Sequence, residues 1–499
     1  MPTLRDVAVL AGVSTATVSH VINQTRRTTQ ETRERVELAI RELGFVPDAA
    51  GRALAMRKTD AGALRAPSVL KAGGAGGDGH GAAAVAEAEE APAPAQAQTA
   101  TVAVGAARMI LRLVRAAQPI PRVEIARRLG VNRSTVTEVV KPLLAEGILR
   151  EGQETPTAGV VRTSGRPPVA LSFGDLKEFF VGVSVGVRHT TVGIATLAGE
   201  RFGEEEFETP AEPAEALARM RASVKRLCAK VPGRQLRVIG VSVPGPTDAE
   251  RRRMIYAPHL GWQGVDVAQA LSVKPCGAGG GAAVPVVVEN DATAAALYEA
   301  RLRLGGGSES PNANFALVRS GTGIGVGLVL GGEVYRGMGG GEGLAGEFGH
   351  MTIVAGGKPC RCGNRGCWEM YASASAASSL YAGDRVQLGG QTPPRFVEIV
   401  ARAEGGELRA RRTLERLGEY LGIGIANVIT GLGVSRVIVS GRLVYGWKFI
   451  SGPLQEAVGQ SMAGRISGWS VEPGEPTGAG LGGAVEVAAD EFLARAIAR

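Results

Sequence analysis

A chain of 499 residues with a formal net charge of +8 is long enough for several domains. It has no run of about 18 apolar residues, so no membrane span is expected, and MPTLRDVAVLAG lacks the basic start and cleavage site of a signal peptide. Five cysteines, three of them crowded into residues 360–367, suit a reducing cytoplasm better than a disulfide framework. The charge is uneven: residues 1–60 carry 9 basic and 7 acidic side chains, residues 100–168 carry 11 and 5, and the remainder nearly cancels. A basic excess in the N-terminal third is expected where a chain meets phosphates.

The first 60 residues read as a compact helical unit. Leu4 to Ala11 predicts a short helix, Gly12-Val13 a tight turn, and Ser14 the N-cap of a second helix running to Asn23. A third helix begins near Thr28 or Thr29, repeats apolar residues at Val36, Ile40 and Leu43, and stops at Gly44. Helix, glycine-containing turn, helix is a helix-turn-helix. TLRDVAVLAGVSTATVSHVIN followed by ETRERVELAIRELGFVPDAAGRALA resembles the LacI-type DNA-binding headpiece along its whole length.

That resemblance implies a second helix in the major groove, with Thr15, Ala16 and His20 on base edges and Ser14, Thr17 and Asn23 on phosphates. It also makes Pro47 to Ala55 a hinge helix, with Leu54 as the minor-groove wedge. Asp48 replaces the usual Asn there, and Gly51 replaces a helix-favouring alanine, at a cost of up to ~1 kcal/mol.

Residues 60–100, AGGAGGDGHGAAA and AEAEEAPAPAQAQ among them, hold almost no large apolar residues and predict a flexible tether. His80 within it reads as an exposed bystander. A second helix-turn-helix follows. Ile110, Leu113 and Val114 line a helix ending near Gln118, with Pro119 and Pro121 as breakers. Arg122 to Leu129 is the next helix, Gly130-Val131 the turn, and Asn132 the cap of a third that Pro142 should kink. GILREGQ and VRTSGRPPVALSF read as two strands of a wing. The segment resembles the winged helix-turn-helix of ROK repressors, including Gly165-Arg166-Pro167, which implies that Arg133, Ser134, Thr135 and Thr137 face the groove.

From Phe173 onward Val/Gly-rich strands alternate with Ala-rich helices, an α/β pattern. Within it, Cys360, Cys362 and Cys367 with His350 ten residues upstream of the first form the donor set that a closed tetrahedral zinc site uses. Gly363 and Gly366 let so short a loop wrap back on a metal. A redox pair or unrelated core thiols would leave this polar, Gly-rich clustering unexplained. Cys228 and Cys276 read as ordinary thiols.

Glu347-x-Gly349-His350 followed by Cys360-x-Cys362-Gly363-x-x-Gly366-Cys367-x-Glu369 resembles the zinc segment of the ROK family of sugar kinases and sugar-responsive repressors. The resemblance implies an actin-like, two-lobed fold, a structural zinc on His350, Cys360, Cys362 and Cys367, and a sugar held by Asn290, Asp291, Glu347, His350 and Glu369. Asp291 matches the aspartate that kinases of the family use as general base.

The nucleotide half departs from the kinases. Where they carry Asp-x-Gly-Gly-Thr, this chain reads Ser184-Val185-Gly186-Val187-Arg188; Gly321-Thr322-Gly323-Ile324-Gly325 survives, and Ser440-Gly441-Arg442 replaces a glycine pair. Phosphoryl transfer needs both phosphate clamps and a metal.

The sequence therefore predicts a multi-domain cytoplasmic chain. An all-α LacI-type headpiece (1–59) and a tether (60–100) precede a winged helix-turn-helix (101–172) and a two-lobed α/β actin-like ROK domain (173–499) with its zinc segment at 347–369. The expected function is a sugar-responsive transcriptional regulator, a repressor of carbohydrate genes and not an enzyme. It would bind an operator in double-stranded DNA as a homodimer or homotetramer and respond to a sugar or sugar phosphate. The alternative is an ATP-dependent sugar kinase with DNA-binding appendages.

Overall fold

The computed structural model describes residues 4–15, 17, 18, 21, 29–43, 94–153, 169–174, 177–273, 283–307, 310, 313–337, 343–383, 393–466 and 468–497. They fall into two compact units, Met1–Glu90 and Ala91–Arg499.

The first unit contains α1 (Leu4–Ala11) and α2 (Gln30–Leu43). Gly12 takes a positive φ of 64°, open to glycine at little cost. Ser14 then accepts the Thr17 N–H on its hydroxyl at 3.1 Å, the capping bond its position predicts. Val7, Ala8 and Ala11 from α1 close over Val18, Val21, Val36 and Ala39, so the 3.6-residue repeat of α2 supplies one wall of a small aliphatic core.

The second unit opens with α3 (Pro94–Ala117), whose first seven residues lie in the stretch expected to be a tether. The Ala-rich sequence there favours a helix without large apolar residues. Next come β1 (Ile120–Pro121), α4 (Arg122–Leu129), α5 (Arg133–Ala145), β2 (Leu149–Gln153) and β3 (Val169–Phe173). The strands form an antiparallel sheet in the order β1-β3-β2, with Leu149 opposite Phe173 and Ile120 opposite Leu171. Pro121, expected only as a breaker, falls within β1, which pairs antiparallel with β3.

Asn132 holds the N-cap position of α5 but makes no side-chain capping bond, and α5 continues through Pro142 to Ala145. A proline so close to the C-terminus removes only one intrahelical bond.

Two further sheets form the lobes. The first runs β10-β7-β4-β5-β6, from β4 (Glu178–Val185), β5 (His189–Ala195), β6 (Arg201–Glu208), β7 (Gln235–Val243) and β10 (Val286–Asn290). The second runs β13-β12-β11-β14-β15, from β11 (Phe315–Ser320), β12 (Ile324–Leu330), β13 (Glu333–Tyr335), β14 (Arg436–Gly441) and β15 (Ser470–Pro473). A small hairpin of β8 (Met254–Ala257) and β9 (Trp262–Val265) stands apart.

Among the longer helices, α6 (Pro213–Ala229) buries Met220, Val224 and Leu227 with the first sheet, and α8 (Leu408–Leu432) buries Leu414, Leu417 and Leu421 with the second. The C-terminal helix α9 (Ala479–Ile497) lies directly on β4 and β7 and against α7 (Asp291–Gly305). Gly240 allows this: a Cβ there would strike the Ala484 carbonyl and stand 2.7 Å from the Ala488 nitrogen.

The three-stranded module and the lobes share one hydrophobic core. Ile110, Leu111, Leu113 and Val114 of α3 sit in the same buried cluster as Val136, Val140 and Leu171 of that module and Leu297, Leu304, Val487 and Leu493 of the lobes. Three arginines of α3 are spent on the lobes as well. Arg108 and Arg112 reach Asp490 at 2.7 and 2.6 Å, and Arg115 pairs with Glu486. Part of the basic excess that suggests phosphate contact is thus consumed by buried carboxylates. Among the described residues no helix is long and apolar enough to cross a membrane.

Candidate functional site

β10 ends at Asn290, and the chain turns straight into α7. Asn290 caps that helix, its Oδ1 accepting the Ala292 N–H at 2.9 Å and the Thr293 N–H at 3.2 Å. Its amide nitrogen donates to the Gly245 carbonyl at 3.3 Å. Much of its hydrogen-bonding capacity is therefore engaged within the fold. Asp291, the first helical residue, lies at the carboxyl end of a parallel strand, where open α/β sheets place ligands.

Asp291 is not free. Arg319, the penultimate residue of β11, donates to its carboxylate and forms an ion pair with it. The turn after β11 threads between Asp291 and the cysteine segment. A Cβ on Gly325 would come 3.7 Å from Asp291 Oδ1, and one on Gly323 would strike Glu369 Oε2. Glycine is thus required at 323 by the Glu369 carboxylate and at 325 by the Ala292 Cβ, which a Cβ there would approach to 2.8 Å.

On the other side, one 3-10 turn (Glu347–His350) presents its glutamate and histidine together. His350 Nε2 stands 3.8 Å from Glu347, and Nδ1 stands 3.7 Å from Glu369. Glu369 is 4% exposed at the start of a short helix, and His259 approaches its other oxygen at 3.5 Å. Burial, together with Asp291 and Glu369 nearby, pushes Glu347 up to about 7. Burial also tends to raise Glu369, but His259, Cys360 and His350 outweigh it and hold this carboxyl below its ordinary value.

Behind this set the four soft donors converge. The ligand atoms of His350, Cys360, Cys362 and Cys367 all lie within 4.8 Å of one another. Cys362 and Cys367 Sγ are 3.7 Å apart, and His350 Nδ1 is 3.6 Å from Cys360 Sγ. Gly363 and Gly366 have φ of 93° and 78°, and a Cβ on Gly366 would collide with the Val354 carbonyl. Burial pushes the Cys360 and Cys367 thiols above their ordinary value. A bound cation reverses such a shift.

The residues expected at phosphates and the adenosine pocket are differently employed. Ser184 Oγ lies against the start of α9, 3.0 Å from the Cβ position of Gly480. The Gly186 N–H donates to the His189 carbonyl and closes a hairpin turn over Val187. Ser440, fully buried, donates its hydroxyl to the Glu475 carbonyl at 2.7 Å.

In the winged module, Arg133, Ser134 and Thr137 are exposed and Thr135 is half-buried at the N-terminal end of α5. The Thr137 hydroxyl donates back to the Arg133 carbonyl at 2.9 Å and leaves its oxygen as an acceptor. In the headpiece Ser14 and Thr15 are exposed and Thr17 is half-buried. Ala16, His20, Asn23 and Leu54, with the hinge segment 47–55, His80, Gly165-Arg166-Pro167 and Cys276, lie outside the described residues.

The structure thus gathers Asp291, Glu347, His350 and Glu369 around one glycine loop, and adds two residues that sequence reasoning missed. Arg319 carried a signal, a lone cation in the apolar strand NFALVRS. His259 carried less, being one of only five histidines.

A family model described as "ROK family" matches residues 180–490. The chain belongs to the ROK family. Ahead of its ROK domain, a model for bacterial regulatory proteins of the lacI family matches residues 3–48, and one for winged helix-turn-helix DNA-binding matches 106–150. The chain is 28% identical to the xylose repressor of Bacillus subtilis (strain 168) over 343 residues, 68% of this chain and 82% of that protein. It is 27% identical to the glucokinase of Streptomyces coelicolor over 300 residues, 57% of this chain and 88% of the enzyme. Among solved structures, a ROK family transcriptional regulator, homologous to the E. coli MLC protein, superposes with a TM-score of 0.60 at 23% identity, covering 80% of this chain and 98% of the other.

Proposed function

We propose that this ROK protein is a sugar-responsive transcriptional repressor whose kinase-like lobes sense a sugar and do not phosphorylate it. The observation that carries the reading is the ion pair between Arg319 and Asp291. A general base needs a free lone pair aimed at the hydroxyl it deprotonates. Here one carboxylate oxygen, Oδ2, is taken by a guanidinium, which orients the group toward Arg319, while the Ser184–Val187 turn lacks the acidic residue that would direct a metal to the phosphates.

The remaining set still suits a sugar: Glu347 and Glu369 offer acceptors and His350 a ring nitrogen, and each can take up a hydroxyl. Asn290 contributes mainly by fixing the turn that presents Asp291. The resemblance to the xylose repressor supports the regulator reading.

Zinc fits the soft donor set. Tetrahedral bonds of about 2.3 Å to sulfur and about 2.0–2.1 Å to nitrogen separate two sulfurs by about 3.8 Å, and sulfur from nitrogen by about 3.6 Å. Two spacings in the cluster, 3.7 and 3.6 Å, agree with these values. His350 Nδ1, Cys360, Cys362 and Cys367 would hold the ion as a structural centre, leaving Nε2 of His350 on the Glu347 side.

DNA would be read by Arg133, Ser134, Thr135 and Thr137 of the winged module and by the LacI-type headpiece through Ser14, Thr15, Ala16, Thr17, His20, Asn23 and Leu54. The protein would act in the cytoplasm as a homodimer or homotetramer.

The test is fluorescence anisotropy of the full chain on DNA from upstream of its own gene, titrated with pentoses, hexoses, amino sugars and their phosphates. One sugar that shifts operator affinity supports the reading; DNA binding indifferent to every sugar overturns it. The kinase alternative keeps one favourable observation, the retained Asp291, and the likeness to a glucokinase. Sugar phosphate formed from ATP above a no-protein control would reverse the ranking.

A further inference from the structure

The β8–β9 hairpin belongs to the first lobe but reaches the second. Met254, Ala257, Trp262 and Val265 are buried in the first lobe's core with Leu271 and Val288. The Trp262 indole N–H also donates to the Ala211 carbonyl at 2.6 Å, which fixes the base of the hairpin. Between the strands, the Leu260 and Gly261 N–H groups both donate to the Ala257 carbonyl, at 3.0 and 2.9 Å. Gly261 closes this turn at a φ of 72°, a conformation that glycine adopts at little cost. His259 is thus held at the tip of an anchored turn, with its imidazole beside Glu369 of the second lobe.

Glu369 needs more from a donor than His259 supplies. Its side chain is only 5% accessible. Oε1 takes the Cys360 thiol at 3.1 Å and stands 3.7 Å from His350 Nδ1. Among the described residues, Oε2 has only His259 Nε2, at 3.5 Å. Bonds of the N–H···O kind cluster at about 2.9–3.0 Å, so this one is long for a carboxylate oxygen withdrawn from water. The same two atoms converge on the glycine loop. A Cβ on Gly323 would stand 3.1 Å from His259 Nε2 and strike Glu369 Oε2, so glycine leaves both uncovered on that side.

This arrangement suits one hydroxyl. An oxygen about 2.8 Å from each of two atoms that are 3.5 Å apart closes a triangle with them. A slight outward turn of the ring opens the angle at that oxygen. The hydroxyl then donates its proton to Glu369 Oε2 and accepts the N–H of His259 Nε2. One long bond is exchanged for two of ordinary length. Donating and accepting at once is what a hydroxyl does, and a sugar ring carries several.

We propose that His259 is a sugar-contacting, specificity-determining residue that grips one ring hydroxyl together with Glu369, each lobe supplying one partner. The inference rests on the sensor reading of this cleft and adds a residue outside the set expected from the sequence. Recognition then depends on one hydroxyl, because an analogue lacking it leaves a buried carboxylate without its donor. The bound sugar also holds the two lobes together, a differential contact of the kind a population shift requires.

The test measures binding to the full chain by isothermal titration calorimetry. The probes are D-glucose, D-xylose, D-galactose, D-mannose, N-acetyl-D-glucosamine and their phosphate esters, and the tightest binder is then replaced by its deoxy analogues, one hydroxyl at a time. One analogue should bind the wild-type chain roughly 10-fold or more weakly than the parent sugar. His259→Ala should weaken the parent sugar by roughly 10-fold and shrink the penalty for that same analogue, since both changes remove one shared interaction. His259→Gln, whose amide places an N–H near the Nε2 position, should recover much of both effects, which a merely structural histidine would not do. A crystal of the wild-type chain with that sugar needs no variant to fold. It should place one ring hydroxyl within about 3 Å of both His259 Nε2 and Glu369 Oε2. Equal deoxy penalties in wild type and His259→Ala, or a bound sugar out of reach of His259, would overturn this inference and leave the sensor reading standing. A wild-type chain that binds none of these sugars would overturn both.

Discussion

Asp490→Asn removes one negative charge from the α3 junction while keeping the shape of the side chain. In the folded chain Asp490 is buried, and burial works to raise its pKa. Arg112 and Arg108 outweigh that effect and bring the carboxyl to about 2. Against an ordinary value of 3.8, the depression corresponds to about 2 kcal/mol of stability at neutral pH. Breaking a buried ion pair by removing one partner costs about 3–5 kcal/mol. Asn can still accept one hydrogen bond, and Arg108 and Arg112 keep Glu333, so a loss near 3 kcal/mol is expected.

The sign of the pH dependence follows from a depressed carboxylate pKa. The stabilisation is complete above about pH 5 and disappears as pH falls toward 2. Two assays read it. Hydrogen exchange at pH 7 should show the amides of residues 108–117 losing protection by roughly 100-fold, the equivalent of about 3 kcal/mol. Urea unfolding of wild type and variant should differ most at neutral pH, narrow below pH 4 and converge only toward pH 2. A wild-type-to-variant difference that stays constant between pH 7 and pH 3, or α3 amides unchanged by the substitution, would refute the reasoning.

Metal analysis of the purified chain should find one zinc per protomer, and Cys360→Ala should release it and lower Tm; a fully folded protein free of zinc would remove the structural role. With ATP and any sugar that binds, no sugar phosphate should accumulate; turnover that Asp291→Asn abolishes would restore the kinase reading. Glu369→Ala should lose the sugar response and keep operator binding in the absence of sugar, whereas deletion of residues 1–60 should leave the response largely intact; the opposite pattern would mean that coupling runs through the headpiece. Arg133→Ala should weaken specific DNA binding by roughly 1–3 kcal/mol if it touches a base; an unchanged footprint would remove it from the reading surface.

The sequence made local events legible. VPVVVENDATAAALYEA reads as a strand entering a helix because period-2 apolar residues give way to alanines after an Asn cap, and the chain does this at Asn290. The cysteine cluster was equally plain, since all four donors fall within 18 residues. Pairings between distant segments were not legible. Arg319 and Asp291 are 28 positions apart, and His259 and Glu369 are 110 apart. No local rule brings them together until two sheets converge on one glycine loop.

The arginines of α3 follow the same logic. Their charge was visible in the sequence, but their carboxylate partners lie about 370–380 residues downstream, so a phosphate-facing surface was the natural expectation.

The shared core around α3 bears on how such a sensor could be rebuilt. A chimera cut at Phe173, where sequence composition changes, would strip Ile110, Leu111, Leu113 and Val114 of half their cover and strand three arginines in apolar surroundings. Grafting this winged reader onto a foreign effector lobe therefore requires carrying over the facing surfaces of α7 and α9, or redesigning them together. The LacI-type headpiece, described by itself, has its own small core from Val7 to Ala39.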